Sequence, residues 1–172
     1  ALAYASQGAT IVGAARRQDD LDSLKAEVEA LGGRAMVKVT DVTDRAQVEA
    51  LGQATMDSFG RLDTWVNNAG GFIDGAMRDW LDVDPDDFEA MLRLNGTAQI
   101  WGAQVAARHM RDAGRGGCLI FIGSLDKYGP APGGEGVYGA CKAAIHYINA
   151  TMAVELGKYR IRVNTIAPAV IE

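Results

Sequence analysis

Short apolar runs alternate with segments of helical period along the whole chain, and this rhythm restricts the fold more than any single residue does. Residues 10–15 (Thr-Ile-Val-Gly-Ala-Ala) read as a buried strand. Leu21, Leu24, Val28 and Leu31 then recur at helical spacing, and Gly32-Gly33 stops that helix. A second strand is predicted over 35–40. Asp44 with Gln47 three residues on has the form of a capping box, opening a helix that ends at Phe59-Gly60. Residues 64–67 are a short third strand. In Asp84-Pro85-Asp86-Asp87, Asp84 can cap, Pro85 suits the first helical position, and the two acids favour the positive end of the helix dipole. The helix they open is expected to reach about Arg111. Residues 117–123 (Gly-Cys-Leu-Ile-Phe-Ile-Gly) predict a strand buried on both faces. A Gly/Pro-rich loop, a helix over 137–157 and a last strand over 161–167 complete the series.

Strands alternating with helices predict an α/β fold, a doubly wound parallel sheet covered on both sides. Such sheets bind ligands beyond the carboxyl ends of their strands. The chemically distinctive residues fall there: Arg16-Arg17, Asp41, Asn68-Ala69-Gly70, Ser124 and Pro168 each follow a predicted strand. A formal charge of -5, from 17 Lys+Arg against 22 Asp+Glu, argues against a nucleic-acid binder. No apolar run approaches the roughly 18 to 20 residues that span a bilayer, and no export signal is visible, so no membrane role and a cytoplasmic location are expected. Cys118 and Cys141 lack CxxC spacing, and with only His109 and His146 beside them no metal site is expected.

Tyr138 and Lys142, four residues apart on a predicted helix, share a face. A neighbouring ammonium favours phenolate over phenol, so Lys142 is expected to lower the Tyr138 pKa and prepare it for proton exchange with a carbonyl or alcohol. The surroundings strengthen the pair. Asn67-Asn68-Ala69-Gly70, a strand-ending Ser124, Tyr138-x-x-x-Lys142 and Arg162-Val163-Asn164-Thr165-Ile166-Ala167-Pro168, in this order, resemble the short-chain dehydrogenase/reductase family in its smaller branch. The resemblance covers the whole chain and implies a Rossmann-like fold. It also implies an NAD(P)-dependent oxidoreductase that moves a hydride between nicotinamide and a carbonyl/alcohol substrate.

By that resemblance Tyr138 is the general acid/base. Lys142 tunes it and holds the nicotinamide ribose, and Ser124 hydrogen-bonds the substrate oxygen. Asn95 completes a tetrad by holding a water in the proton relay; the other reading of Asn95 is a helix kink or a satisfied buried amide. Ser124 lies 14 residues before Tyr138, one more than the commonest family spacing. Asp41 and Val42 match the adenine contact, and Asn68, Ala69 and Gly70 match the segment beside the adenosine ribose. Pro168, Ala169 and Ile171 match the segment that fixes the nicotinamide, with Ala169 where the family usually has glycine. Ala15 followed by Arg16 and Arg17 offers no carboxylate against a 2′-phosphate and two guanidinium groups to clasp it. NADP is therefore the expected cofactor, with NAD possible.

The family's glycine-rich turn is absent, and residues 1–5 resemble the helix that follows it. Residues 1–172 are expected to be a single incomplete dinucleotide-binding and catalytic domain, without the central first strand or the C-terminal substrate helices. Taken alone the segment is expected to be inactive. A homodimer or homotetramer is expected for the full-length enzyme, with Trp101, Val105, Ile145 and Ile148 as candidates for its contact surface; the other reading of each is ordinary sheet-facing core. Three rival readings are a non-catalytic dinucleotide-binding relative, an extended-branch nucleotide-sugar epimerase or dehydratase, and a flavodoxin-like module. The intact Tyr138-Lys142 pair, the Asn-Asn-Ala-Gly segment and the ordered motifs speak against them in turn.

Overall fold

The computed structural model describes residues 1–128 and 134–169, except for the side chains of residues 127 and 128. Helix α1 (Leu2–Ala5) leads into β1 (Ile11–Ala15), α2 (Gln18–Ala30), β2 (Ala35–Val39), α3 (Arg45–Phe59) and β3 (Thr64–Asn67). Then follow α4 (Pro85–Leu92), α5 (Ala98–Ala113), β4 (Gly117–Ile122), α6 (Gly136–Leu156) and β5 (Ile161–Ile166). All strand pairs are parallel, as the alternation of strands and helices requires.

The strands form two sheets. β1 pairs with β2, and β3, β4 and β5 pair in that order. β1 and β3 do not pair. Between them lies a cavity of about 1180 Å³, lined by Ile11, Val12 and Ala14 from one edge and Trp65, Val66 and Asn67 from the other. This is the interrupted doubly wound arrangement that the sequence predicts.

β4 is the centre of the larger sheet. Its consecutive residues Cys118 and Leu119 are both buried, so both faces are covered. Leu119 and Phe121 pack with Ala103, Ala106 and Met110 of α5 and with Ile145 of α6. Small residues let α5 approach: a Cβ at Gly102 would lie 2.8 Å from Trp65 Nε1 on β3 and would collide with Asn67 Oδ1.

Helix starts follow the expected chemistry with two departures. Asp84 caps α4 by accepting from Asp86 N at 2.9 Å, and Asp44 caps α3 by accepting from Ala46 N at 2.9 Å. Gln47 does not reach back to the Asp44 N–H as a capping box would. Its Oε1 accepts from Asp41 N at 2.8 Å, tying the turn after β2 to α3. The helix expected over 85–111 is divided by a π-helical turn, Arg93–Thr97, with Asn95 inside it.

The expected contact surface is corrected. Ile145 is fully buried in the core and Val105 is buried, while Ile148 is partly buried against the same core and Trp101 is half-buried. The apolar side chains that α6 presents to solvent are Tyr147 and Val154, 72% and 84% exposed. No helix among the described residues is long and apolar enough to cross a membrane.

Candidate active site

The carboxyl ends of β4 and β5 are tied together. Gly123 N donates to Ile166 O at 2.7 Å, and Leu125 N donates to Pro168 O at 3.1 Å. This fixes Ser124 and the short turn Leu125–Tyr128 against the segment that follows β5. Ser124 Oγ donates to Asp126 Oδ2 at 2.6 Å, and Asp126 N donates back to Ser124 Oγ at 3.2 Å. From the first turn of α6, the Tyr138 hydroxyl comes close enough to Ser124 for the serine to favour its phenolate form. The Tyr138 ring lies 4.6 Å from that of Phe72, tilted by 54°. One helical turn on, Lys142 is buried and its Nζ donates to Ile122 O at 2.8 Å. Nζ stands 5.3 Å from the Tyr138 ring centroid. Ser124, Tyr138 and Lys142 therefore converge at the end of β4, fourteen residues being a workable separation.

The electrostatics correct one expectation. Burial raises the Tyr138 pKa above its ordinary value, the Asp126 carboxylate raises it further, and the Ser124 hydrogen bond opposes both. Lys142 does not lower it here. Burial pushes the Lys142 ammonium down, and its nearest polar partner is a backbone carbonyl rather than the phenol. The resting tyrosine is thus held as the phenol, the form that can give a proton away.

Asn95 is fully buried, and its amide is occupied. Oδ1 accepts from Gly71 N at 2.9 Å, and Nδ2 donates to Gly71 O at 2.8 Å and to Met91 O at 3.3 Å. The side chain clamps the segment after β3 from an irregular helical turn. A Cβ at Gly70 would come 2.8 Å from Asn95 Oδ1 and 3.5 Å from Lys142 Nζ, so this position must stay small.

Of the residues assigned to a cofactor, only some border the cavity between β1 and β3. Ala15, Val42, Asn68 and Ala69 border the cavity between β1 and β3. Arg16 and Arg17 are exposed after β1, and Arg17 forms an ion pair with Asp20. Asp41 accepts from Thr43 N at 2.9 Å and from Thr43 Oγ1 at 2.7 Å; these bonds hold its carboxyl below the usual range, with help from the Arg16 charge. Pro168 and Ala169 follow β5. Arg160 is the one non-glycine residue of positive φ among the described residues, so Ala169 sits there without strain. Ile171 lies outside the described residues.

Sequence reasoning gave no role to four contributors. Asp126 was readable as an acid two residues after the strand-ending serine. Phe72 carries no signal in its own segment. Gln99 and Asn67 border the cleft with buried amide atoms that have no partner: both polar atoms of Gln99, and Nδ2 of Asn67. A glutamine inside an apolar helix face was the available clue.

Comparison with known proteins decides the family. The family model for short chain dehydrogenases matches residues 1–172. The chain belongs to the short-chain dehydrogenase family. It is 32% identical, over 96% of its own length and 62% of the relative's, to a hydroxy-methyl-oxo-hexahydro-indene-carboxyl-CoA reductase of Mycobacterium tuberculosis. It is likewise 32% identical to the 3-oxoacyl-[acyl-carrier-protein] reductase FabG of Thermotoga maritima, over 99% of this chain and 68% of that protein. A crystal structure of a short-chain type dehydrogenase/reductase from Mycobacterium marinum superposes with a TM-score of 0.92 at 34% identity, covering 98% of this chain and 67% of that one. The chain thus spans about two thirds of the length of these relatives.

Proposed function

We propose that this short-chain dehydrogenase is an NADP-preferring carbonyl reductase whose general acid is Tyr138. The observation that carries the reading is the convergence of Tyr138, Ser124 and Lys142 at the carboxyl end of β4, beside a cleft bordered by the cofactor segments. A bound nicotinamide supplies the hydride. Tyr138 Oη delivers the proton to the reacting oxygen. Ser124 Oγ hydrogen-bonds the same oxygen and stabilises the charge that develops on it. Lys142 holds the nicotinamide ribose hydroxyls, and Asn95 keeps Gly70 and Gly71 in place beneath them.

The carboxyl ends of the strands, rather than the gap between the edges of β1 and β3, suit a dinucleotide. Ala69 and Gly70 leave the backbone open to close approach, and unpartnered amide atoms of Gln99 and Asn67 are ready for a polar ligand. By the family resemblance Asp41 and Val42 would contact the adenine, and Pro168 and Ala169 the nicotinamide. At the end of β1, Ala15 presents no carboxylate, and the exposed Arg16 makes no salt bridge among the described residues and can clasp a 2′-phosphate. NAD is the second reading, because the Arg17 guanidinium is already engaged by Asp20. The exposed Tyr147 and Val154 on α6 support a dimer or tetramer through that helix. The buried free thiols Cys118 and Cys141 accord with a cytoplasmic setting.

The test is oxidation of NADPH and NADH by the purified full gene product across ketones, 3-oxoacyl thioesters and sugars, beside Tyr138→Phe. Ketone-dependent oxidation that the variant loses supports the reading. Undiminished activity in the variant rejects it.

A further inference from the structure

We propose that Asp126 is a specificity-determining residue of this site, selecting carbonyl substrates that carry a hydroxyl or protonated amine on the carbon beside the carbonyl. The proposal rests on the reading that Ser124 and Tyr138 address the reacting oxygen.

Ser124 has one proton to give, and in this structure Asp126 Oδ2 takes it at 2.6 Å. A reacting oxygen must therefore compete with a carboxylate for that proton. The serine-type turn at this point explains why Asp126 N donates to Ser124 Oγ. It does not require the carboxylate to face inward, since an aspartate at the end of a short turn can as well reach solvent. Asp126 has no ion pair among the described residues that would compensate it when Ser124 turns to substrate. A plain ketone would leave the carboxylate without its donor in a half-buried site, a costly arrangement. A second donor on the adjacent carbon removes that cost. Its heavy atom stands about one hydrogen-bond length, roughly 2.8 Å, from the reacting oxygen, within reach of a carboxylate that touches Ser124 Oγ.

The other walls are apolar. Phe72 packs on Tyr138 and is 52% exposed. Trp80, 64% exposed, borders the start of α6, where a Cβ at Gly136 would lie 2.7 Å from its Nε1. Leu125, between Ser124 and Asp126, is also exposed. Asp126 is the acid that holds Ser124, with Glu135 the other carboxylate acting on Tyr138, and the aromatic and aliphatic side chains nearby fit a substrate with an apolar, ring-bearing body and a donor next to its carbonyl. The partly buried rim makes this a discrimination on the order of ten- to a hundred-fold, below what a fully enclosed polar pocket reaches.

Three matched probes separate the terms: acetophenone, 2-hydroxyacetophenone and 2-aminoacetophenone, reduced by the full gene product with NADPH and compared by kcat/KM. The wild type is expected to favour the hydroxy and amino ketones over acetophenone by at least about tenfold. Asp126→Ala should reverse this, raising acetophenone turnover while lowering the other two. Asp126→Asn, of nearly the same shape, should keep the hydroxy preference through its Oδ1 and lose the amino preference. Wild-type indifference to the three, or variants that change all three by one common factor, overturns the proposal alone. Absence of turnover of any probe overturns the proposal. If Tyr138→Phe also leaves activity on the wider substrate panel unchanged, the reading beneath it fails as well.

Discussion

Replacing Asn95 with alanine tests whether that side chain is a structural clamp. It deletes an acceptor for Gly71 N and a donor for Gly71 O, at 2.9 and 2.8 Å. Each buried polar group left without a partner costs about 1–3 kcal/mol. Gly71 is half-buried, so water satisfies part of the demand and the lower half of that range applies to each group. Met91 O also loses a donor but keeps the weak one at Cys141 Sγ, so it adds little. The expected loss is about 2–4 kcal/mol, or a fall in Tm of roughly 4–16 °C for a domain of this size. Urea unfolding followed by tryptophan fluorescence gives the number directly. The same variant should raise the KM for cofactor, because Gly70 sits against Asn95 and Lys142. A loss below about 0.5 kcal/mol, within the range of ordinary surface substitutions, would refute the clamp.

Tyr138→Phe should lower turnover by about 10²–10⁴ while sparing cofactor affinity, measured by NADPH oxidation and fluorescence titration. Retention of more than half the rate would remove Tyr138 from its role. The raised Tyr138 pKa has a stability sign of its own: the folded state holds that proton longer than the unfolded chain. Its contribution is therefore present below the ordinary value of 10.0 and is lost as pH rises through the folded value. The wild type should accordingly lose more stability above about pH 10 than Tyr138→Phe does, and equal alkaline slopes in the two proteins would contradict the shift. Ala15→Asp combined with Arg16→Gln should swing preference from NADP toward NAD, as read from the ratio of kcat/KM values; an unmodified enzyme that already prefers NAD defeats the Arg16 argument. Tyr147→Glu with Val154→Glu should shift the oligomer toward monomer in light scattering, and an unchanged mass would clear α6 of that role.

The elements were legible because each is written in local periodicity, and the site was legible where its residues sit at strand ends. Ser124 and Tyr138 follow from their positions after β4 and at the start of α6. What was not legible depends on partners distant in sequence. Asn95 drew attention as an amide inside a helix, but its role requires Gly71, 24 residues away. The spacing of Ile145 and Ile148 says that they share a helix face. It cannot say that this face meets the sheet, while Tyr147 and Val154 meet solvent. The sign of the Tyr138 shift failed for the same reason. Four-residue spacing brings Lys142 alongside, but Ile122 O takes its Nζ, and the phenol is left with Ser124 and Asp126 as neighbours.

The separation of the two sheets and the position of the site share one cause. α3 packs on α5 where a Cβ at Gly52 would collide with Val105 and come 3.2 Å from His109 Nε2, and α5 in turn lies on β3 through Gly102. Those contacts fix how far α3, and with it the end of β2, stands from the larger sheet. For β1 to close onto β3, the smaller sheet would have to advance by about one strand spacing, roughly 4.8 Å, against helix contacts already at their closest approach. The cleft therefore stays open, its walls the unpaired edges of β1 and β3. Its upper rim is formed by Ala15, Val42, Asn68 and Ala69, some of the residues assigned to the cofactor. Helix packing thus preserves a gap one strand wide between β1 and β3, the place where the family resemblance expects a central first strand. Tyr138 and Ser124 stand at the carboxyl end of β4, the strand next to β3, where a ligand reaching across that rim would meet them.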